Sequence, residues 1–377
     1  MSTIQTNAIV DASGGNTTTV NGISPLANTS RNGRNIIING DMRIAQRGTS
    51  FTSPASGQVT CDRWVSGIHT GTGDGNVTQE TDVPTAAQSG TRFTHSMKLQ
   101  VTTANTSIQT TDRKYFLYRA EGQDLVAAGF GQSGTRYMTL SFWHKHTKTG
   151  IHSVAVNNGA RDRSYPMEYT QTTTNTWEKA ELTFPVDTTG TWVTDNTVGM
   201  WLFFGAAFGS NYAGTVNQWG TGQKYGTSNQ VNNYDSTSNS MQFTGVQLEL
   251  GSVATEFDHR SYAEELVACQ RYYQKLSGGS AGGLMSMGAM YTTTNAQFTQ
   301  NLMVEMRAAP SMTTSNFGVS TLGGTISTTS AVSVSSATAQ FVRIMATLAS
   351  HSFSANTHVF ARVPSNVSGY ITFDAEL

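Results

Sequence analysis

Four residues of the types used in hydrolase sites lie within one short stretch of the sequence. Asp258 and His259 are adjacent, and Glu264 and Glu265 follow shortly after them. A hydrolase needs a histidine oriented by a carboxylate and a nucleophile within hydrogen-bond reach. Neighbouring side chains at a strand-to-helix corner usually point apart, and this corner has no G-x-S-x-G turn. We therefore interpret Asp258 and His259 as residues that satisfy backbone groups before the helix.

A second candidate is the pair His144 and His146, whose H-x-H spacing places both imidazoles on one face of a strand, as in some zinc sites. A zinc site needs a third ligand, and His152 follows after a short turn. That turn would pair His152 with Lys145, on the opposite face of the hairpin. We therefore predict two histidines at a solvated strand end, with no metal and no other cofactor.

Pairs of carboxylates, as used by glycosidases, also give no clear indication of an active site. Such enzymes need two carboxylates that face each other across a cleft. Glu178 with Glu181 and Asp162 with Glu168 are available, but no acidic residue falls in a distinctive motif, and Asp and Glu number only 24. We predict no catalytic residues and a protein that is not an enzyme.

The segment with the most functional character is a polar loop over residues 209–240. Aromatic side chains are spread through it among Asn, Gln, Gly and Ser. Aromatic faces stack on sugar rings and amides match sugar hydroxyls, so the loop predicts a glycan-binding surface. In the alternative, these aromatic residues attach the loop to its own domain or to a neighbouring subunit. The candidate residues are Tyr212, Trp219, Tyr225 and Tyr234.

Composition narrows the classes of protein that can carry these residues. Charged residues make up only 12% and glycine reaches 37 residues, which is typical of short strands joined by turns. The net charge of −1 predicts no nucleic-acid partner. The apolar run at 199–209 is too short to span a bilayer, so no membrane insertion is expected. Cys61 and Cys269 are expected to be buried free thiols in a chain made in a reducing cytoplasm.

Alternating segments with frequent turns predict an all-β protein with antiparallel strands. Residues 33–260 are expected to form a β-sandwich or jelly roll, because strand segments follow one another without helices between them. Residues 278–377 are expected to form a smaller β domain. Residues 1–32 contain too little apolar surface to fold alone, so they are a tail or are ordered by a partner.

One connecting helix is predicted at residues 261–277. Ser261 and Glu264 form a capping box, in which each side chain binds the backbone amide of the other residue. Apolar residues then recur at helical spacing, and Gly278 and Gly279 are expected to end the helix. The resulting stripe would pack on the sandwich or against copies of itself around an axis. It consists of Tyr262, Leu266, Cys269, Tyr273 and Leu276.

Several segments resemble a family of tailed-phage and prophage virion proteins, described as tail-fibre proteins with a carbohydrate-binding-module-like jelly roll. The most specific is FTGVQLELGSVATEFDHRSYAEELVACQRYYQKL, and the looser ones are NIIINGDMRIAQRGTSF, CDRW, LSFWHKHTKTG, TWEKAELTFPVDTTGTW, VEMRAAPSMTT and GYITFDAEL. The resemblance covers the chain from about residue 35 to its end. Residues 1–32 resemble the short segments that attach such fibres to a virion.

The resemblance implies a non-enzymatic fibre protein that forms a homotrimer and is anchored to another virion protein through residues 1–32. It implies a location in the virion and host attachment through a surface glycan. Two other functions stay open from the residues alone. One is a purely structural part, such as a head fibre, a capsid decoration or a tail spacer, and the other is a capsule depolymerase.

Overall fold

The computed structural model describes residues 34–68, 73–278, 283–364 and 368–377. The predicted attachment segment, residues 1–32, lies outside these ranges. The described residues form an all-β protein with antiparallel strand pairing and a jelly-roll sandwich, as the alternating segments predicted. In the same ranges, no helix is long and apolar enough to cross a bilayer.

The sandwich is built from short strands interrupted by a short helix, α1 (Ala86–Ser89), and two 3₁₀ turns at Gly122–Ala128 and Ser210–Tyr212. In chain order, the strands are β1 (Ser50–Phe51), β2 (Gln58–Val59), β3 (Trp64–Ile68), β4 (Asp74–Glu80), β5 (Ser96–Thr103), β6 (Arg113–Glu121), β7 (Tyr137–His146), β8 (Gly150–Asn158), β9 (Arg163–Gln171), β10 (Glu178–Pro185), β11 (Val198–Phe208), β12 (Gly220–Thr221) and β13 (Ser240–Leu250). One sheet has the order β1–β4–β5–β13–β7–β10. The other has the order β12–β9–β8–β11–β6–β3–β2.

The main core lies between these two sheets, because alternation along each strand sends one set of side chains inward. On β6, Phe116 and Tyr118 enter the core, whereas Tyr115 and Leu117 face the outer side of their sheet. Trp64 is 1% exposed, and its ring centroid lies 5.3 Å from that of Tyr118. The outer side of the β12-to-β2 sheet carries a second apolar cluster, so this sheet is apolar on both faces.

The connecting helix, α2, spans Tyr262–Gln270 and does not continue to residue 277 as predicted. Its capping box is confirmed: Glu264 N donates to Ser261 Oγ at 3.2 Å, and Ser261 N donates to Glu264 Oε2 at 2.8 Å. Tyr273 lies on the following strand, β14 (Tyr273–Ser277).

The predicted apolar stripe is therefore wrong, because Tyr273 and Leu276 belong to a strand and not to the helix. Cys269 is buried, whereas Tyr262 is 58% exposed. Strand β14 pairs with a strand close to the end of the sequence, and this long-range pairing overrides the helical spacing.

The C-terminal part contains a small sheet and a closed barrel. In the small sheet, β22 (Tyr370–Asp374) is the central strand. It pairs with β14 on one side and with β17 (Ser311–Ser315) on the other. The barrel has a core of its own that includes Phe298 and Ile344, both 0% exposed. Its strands, in chain order, are β15 (Leu284–Met290), β16 (Asn295–Asn301), β18 (Gly318–Ser320), β19 (Ser327–Ala337), β20 (Phe341–Leu348) and β21 (His358–Arg362), closed in the order β15–β16–β20–β19–β18–β21.

The irregular segment of residues 34–47 contacts both the sandwich and the C-terminal part. Ile36 N donates to Leu248 O at 3.0 Å, which ties the segment to β13. Asn39 N donates to the buried carboxylate of Glu265 on α2, and Gln46 Nε2 donates to Tyr273 O at 3.0 Å. We call the region formed by residues 34–47, 256–276 and 374–376 the joint.

Buried ion pairs hold the joint together. Glu121, at the end of β6, accepts hydrogen bonds from Arg271 Nε and Nη2, both at 2.9 Å. Arg63 forms an ion pair with Glu376, and its guanidinium lies 3.4 Å from the centre of the Tyr272 ring. The charges are neutralised inside the protein, so the sandwich and the C-terminal part share a polar interface rather than an apolar one.

Candidate functional site

The corner at Asp258 and His259 is part of the joint. Asp258 Oδ2 accepts hydrogen bonds from the backbone N–H groups of Arg34 and Asn35, at 3.1 and 3.4 Å. His259 Nε2 lies 2.8 Å from Thr91 Oγ1, and burial lowers the pKa of this histidine. The Asp258 carboxylate thus binds backbone amides, as the sequence predicted, although these amides belong to the distant segment that begins at Arg34.

The histidines of β7 do not lie at a solvated strand end, so this prediction is wrong. His144 and His146 are 1% and 0% exposed. His152 on β8 is also buried and stacks on His146, with 4.0 Å between ring centroids. Strands β7 and β8 belong to different sheets and not to one hairpin, so their side chains meet inside the sandwich.

The three buried imidazoles bind neutral partners. His144 Nδ1 lies 3.0 Å from Gln171 Oε1, and His152 Nε2 lies 3.0 Å from Lys148 O. Burial lowers the pKa of His144 and of His152 to about 4, and that of His146 well below its usual value. Across the described ranges, no group of three His, Cys, Asp or Glu side chains has an arrangement that could hold a metal ion.

The loop at 209–240 folds onto the sandwich through its aromatic residues. Tyr225 and Tyr234 are 0% and 1% exposed, so their predicted contact with a glycan is wrong. Tyr225 packs on Phe203 of β11, with 4.2 Å between ring centroids. At Gly226 the loop approaches β8 so closely that a Cβ atom would lie 2.2 Å from Ser153 Cβ.

The structure does not bring the four predicted aromatic residues together. Tyr212 is half-buried and stacks on Tyr225, with 4.8 Å between ring centroids. Trp219 is half-buried at a different place, where its Nε1 donates to Pro185 O at 2.7 Å. Tyr234 belongs to the main core. The aromatic residues attach the loop to its own domain, and glycan contact by Tyr212 or Trp219 stays a prediction.

The part of the β12-to-β2 sheet that this loop leaves uncovered forms a different candidate site. Pairing of β8, β11 and β6 places Asn157, Trp201 and Arg119 in one row across the outer side of the sheet. The next row, Ala155, Phe203 and Leu117, is buried, and Phe203 and Leu117 pack in one cluster with Tyr225 of the loop. Asn157 is also buried, so the uncovered part of this side consists of Trp201 and Arg119, together with Arg161 on the turn after β8. We call this surface the outer face.

Trp201 is the half-buried aromatic residue at the centre of the outer face. Its Nε1 donates to Gly159 O at 2.9 Å, which fixes the ring. The guanidinium carbon of Arg161 lies 4.7 Å from the centre of this ring, and that of Arg119 lies 5.0 Å from it. Both arginines are close enough for a cation–π interaction with Trp201.

The pKa of Arg119 is lowered, whereas the pKa of Arg163 and of Arg271, which pair with carboxylates, is raised. Burial lowers the pKa of Arg119; the Glu376 carboxylate opposes this shift, and the like charge of Arg63 adds to it. The Nε atom of Arg119 is buried and has no hydrogen-bond partner among the described residues.

A cleft of about 480 Å³ opens at the edge of the outer face, beside β2. Arg119 lines this cleft and also lies over Trp201, so this arginine belongs both to the cleft and to the outer face. The cleft is lined by Arg47, Phe51, Gly57, Gln58, Val59, Arg119, Asp374, Glu376 and Leu377.

A second cavity of about 300 Å³ lies under the loop, between residues 207–213 and 227–232. Its lining contains one aromatic residue, Phe208, and no charged side chain. Five neutral polar side chains line it, Ser210, Thr227, Ser228, Gln230 and Asn232, but it has no charged group of the kind that flanks Trp201.

Trp201 is not among the predicted site residues, because it lies in the apolar run at 199–209, which the sequence analysis considers only as a membrane span. One signal was present in this run. Met200, Leu202 and Phe204 alternate with Trp201 and Phe203, so the strand is apolar on both faces. A strand of this kind needs cover or a ligand on its second face.

No protein-family model matches the sequence, and no curated protein matches it. Among solved structures, the chain is similar to the enzymatically active domain of bacteriophage CBA120 tailspike protein 4, with 16% identity over 58% of this chain and 22% of that one, and a TM-score of 0.29. It is similar to a family 11 carbohydrate-binding module from Clostridium thermocellum in complex with a mixed-linked tetrasaccharide, with 11% identity over 55% and 97% of the two chains and a TM-score of 0.26. It is also similar to a tandem CBM22 domain from Paenibacillus barcinonensis Xyn10C, with 10% identity over 87% and 97% and a TM-score of 0.25. These values are too low to carry an argument about function.

Proposed function

We propose that the protein is a non-enzymatic phage virion appendage of the tail-fibre kind, which binds a glycan on the host surface through the outer face. The observation that carries glycan binding is Trp201, half-buried beside Arg119 and Arg161, together with the cleft of about 480 Å³ that Arg119 also lines. Sugar sites combine an aromatic surface with a few convergent polar groups in a cleft. The virion context rests on the sequence motifs described above.

Replacing Trp201 with alanine is expected to weaken retention on bacterial surface polysaccharide at least tenfold. Loss of a central aromatic contact usually costs more than 1.4 kcal/mol, which corresponds to this factor. Retention is measured by biolayer interferometry on a panel of purified capsular and lipopolysaccharide glycans. Trp192→Ala is the matched control, because Trp192 is also half-buried but packs on Phe130, away from the outer face.

Two results would contradict this assignment of the site. If Trp219→Ala removes retention and Trp201→Ala does not, the loop at 209–240 binds the glycan. If no glycan in the panel retains the protein, the purely structural alternative is favoured. Release of reducing ends from a bound polysaccharide would favour the depolymerase alternative.

We expect the protein to act as a homotrimer anchored through residues 1–32 to another virion protein. Deleting residues 1–32 is expected to abolish incorporation into particles while leaving glycan retention unchanged, because the outer face lies within residues 34–377. Incorporation is measured by immunoblotting of purified particles, and light scattering should give three times the mass of the chain. Normal incorporation of the truncated protein would contradict the anchoring role.

A further inference from the structure

We propose that the glycan bound at the outer face is anionic, and that Arg119 and Arg161 pair with its carboxylate or phosphate groups. This inference rests on the proposed function and names the chemical class of its ligand. Both side chains are half-buried on a surface where they form no ion pair with any carboxylate of the described residues.

Two other half-buried arginines, Arg163 and Arg271, show the contact that a carboxylate of the protein makes with a guanidinium group. Arg163 donates Nε and Nη2 to the carboxylate of Asp187, both at 2.8 Å. Arg271 makes the same two-bond contact with Glu121. Planar guanidinium groups match a carboxylate or phosphate in this way. Neither Arg119 nor Arg161 has such a two-bond partner, and the carboxylates of the adjoining cleft, Asp374 and Glu376, form their ion pairs with Arg47 and Arg63.

The geometry at Trp201 favours an anion over a neutral sugar. Both guanidinium groups lie within 5.0 Å of the ring centre, so they are held by the indole before any ligand arrives. A neutral sugar that stacked on this ring would have to displace or desolvate them without providing a countercharge. An anionic group can pair with them where they stand.

The backbone at Arg161 provides an independent argument. Arg161 has a φ angle of 59°, in the left-handed region that favours glycine and asparagine. The turn is held by the Asn158 side chain, whose Oδ1 accepts from Asp162 N and Arg163 N, both at 3.1 Å. An arginine at this position costs stability, and strained backbone of this kind is enriched at binding sites.

The test uses the full chain and the same polysaccharide panel, with each glycan also in carboxyl-reduced and in dephosphorylated form. We expect the retained glycans to be acidic, and either carboxyl reduction or dephosphorylation to weaken binding at least tenfold. The modified glycan that loses binding shows whether the anionic group is a carboxylate or a phosphate. Arg161→Asn and Arg119→Gln should each weaken binding about tenfold, the factor typical of one charge-assisted pair.

Arg161→Asn keeps the protein folded, because asparagine suits the left-handed turn. The double variant R92Q/R343Q is the control: both residues are exposed, neither lies in the sheet that carries Trp201, and the variant has the same net charge as the double variant R119Q/R161N. It should bind like the unmodified protein.

Three outcomes would overturn the inference. Equal binding of a glycan and its neutralised form would exclude an anionic ligand and leave the proposed glycan-binding function intact. Binding of single-stranded DNA as tight as that of the best glycan would identify a general polyanion surface. Retention by no glycan would remove the proposed function and this inference together.

Discussion

Replacing Glu121 with alanine is expected to lower the free energy of unfolding by about 3–5 kcal/mol, the usual cost of removing one partner of a buried ion pair. The Glu121 carboxylate is fully buried and accepts hydrogen bonds from Arg271 and from the Tyr272 hydroxyl. In the variant, the Tyr272 hydroxyl loses this acceptor on a side chain that is only 1% exposed. The contacts that the variant loses are therefore those that hold the joint together.

Urea unfolding followed by tryptophan fluorescence measures the effect on the sandwich, because residues 278–377 contain no tryptophan. Circular dichroism on the same samples adds the signal of the barrel. Glu181→Ala is the control: its carboxylate is 52% exposed and pairs with Lys179 at the surface, so a change below about 0.5 kcal/mol is expected. Equal losses in the two variants would show that the joint pair contributes no more than a surface pair.

The second large effect is a loss of stability in acid, caused by the three histidines inside the sandwich. The pKa of His144 and of His152 is lowered from 6.5 to about 4 by burial. Between these pH values the unfolded chain binds protons that the native protein does not bind. The free energy of unfolding is therefore fully retained above pH 6.5 and falls as the pH decreases to about 4, by about 3 kcal/mol for each of these two residues.

Asp62 works in the opposite direction and must be separated from the histidines. Burial raises the pKa of Asp62 to about 6. The native carboxyl group therefore binds its proton at a higher pH than the unfolded one, and this group adds stability as the pH falls from 6 toward 4. Only a comparison between variants isolates the contribution of the histidines.

The variant His152→Asn should lose about 3 kcal/mol less stability than the unmodified protein between pH 7.5 and 4.5, measured by urea unfolding at both pH values. His358→Asn is the control, because His358 is exposed on β21 of the barrel. His144→Gln is a second test, because His144 binds Gln171 whereas His152 binds the Lys148 carbonyl. An unchanged pH dependence in both core variants would show that the buried imidazoles do not control acid stability.

Local patterns in the sequence predicted the features that depend on neighbouring residues. The capping box at Ser261 and Glu264 lies within one helical turn, and the structure has it as predicted. Cys61 and Cys269 are buried free thiols, as their types suggested. The alternating segments correctly indicated antiparallel strands, because alternation directly reports a strand with two distinct faces.

Features that depend on distant partners could not be predicted. The spacing of Tyr273 and Leu276 fits a helix, but pairing with residues 370–374 makes them part of a strand. Alternation also does not show which sheet a strand joins. The prediction that β7 and β8 form one hairpin was therefore wrong, and the contact between their histidines could not be foreseen. The candidate site has the same origin, since Arg119, Arg161 and Trp201 meet only through the pairing of β6, β8 and β11.

The way in which residues 34–47 enter the joint has a mechanical consequence. A pulling force transmitted through the residues that precede Arg34 is shared at once among bonds to Asp258, Leu248 and Glu265, which lie on three different segments. The barrel is attached at the same place through β14 and β22. A force between Arg34 and the outer face would therefore enter the sandwich at the joint, and the barrel would lie outside the path of that force.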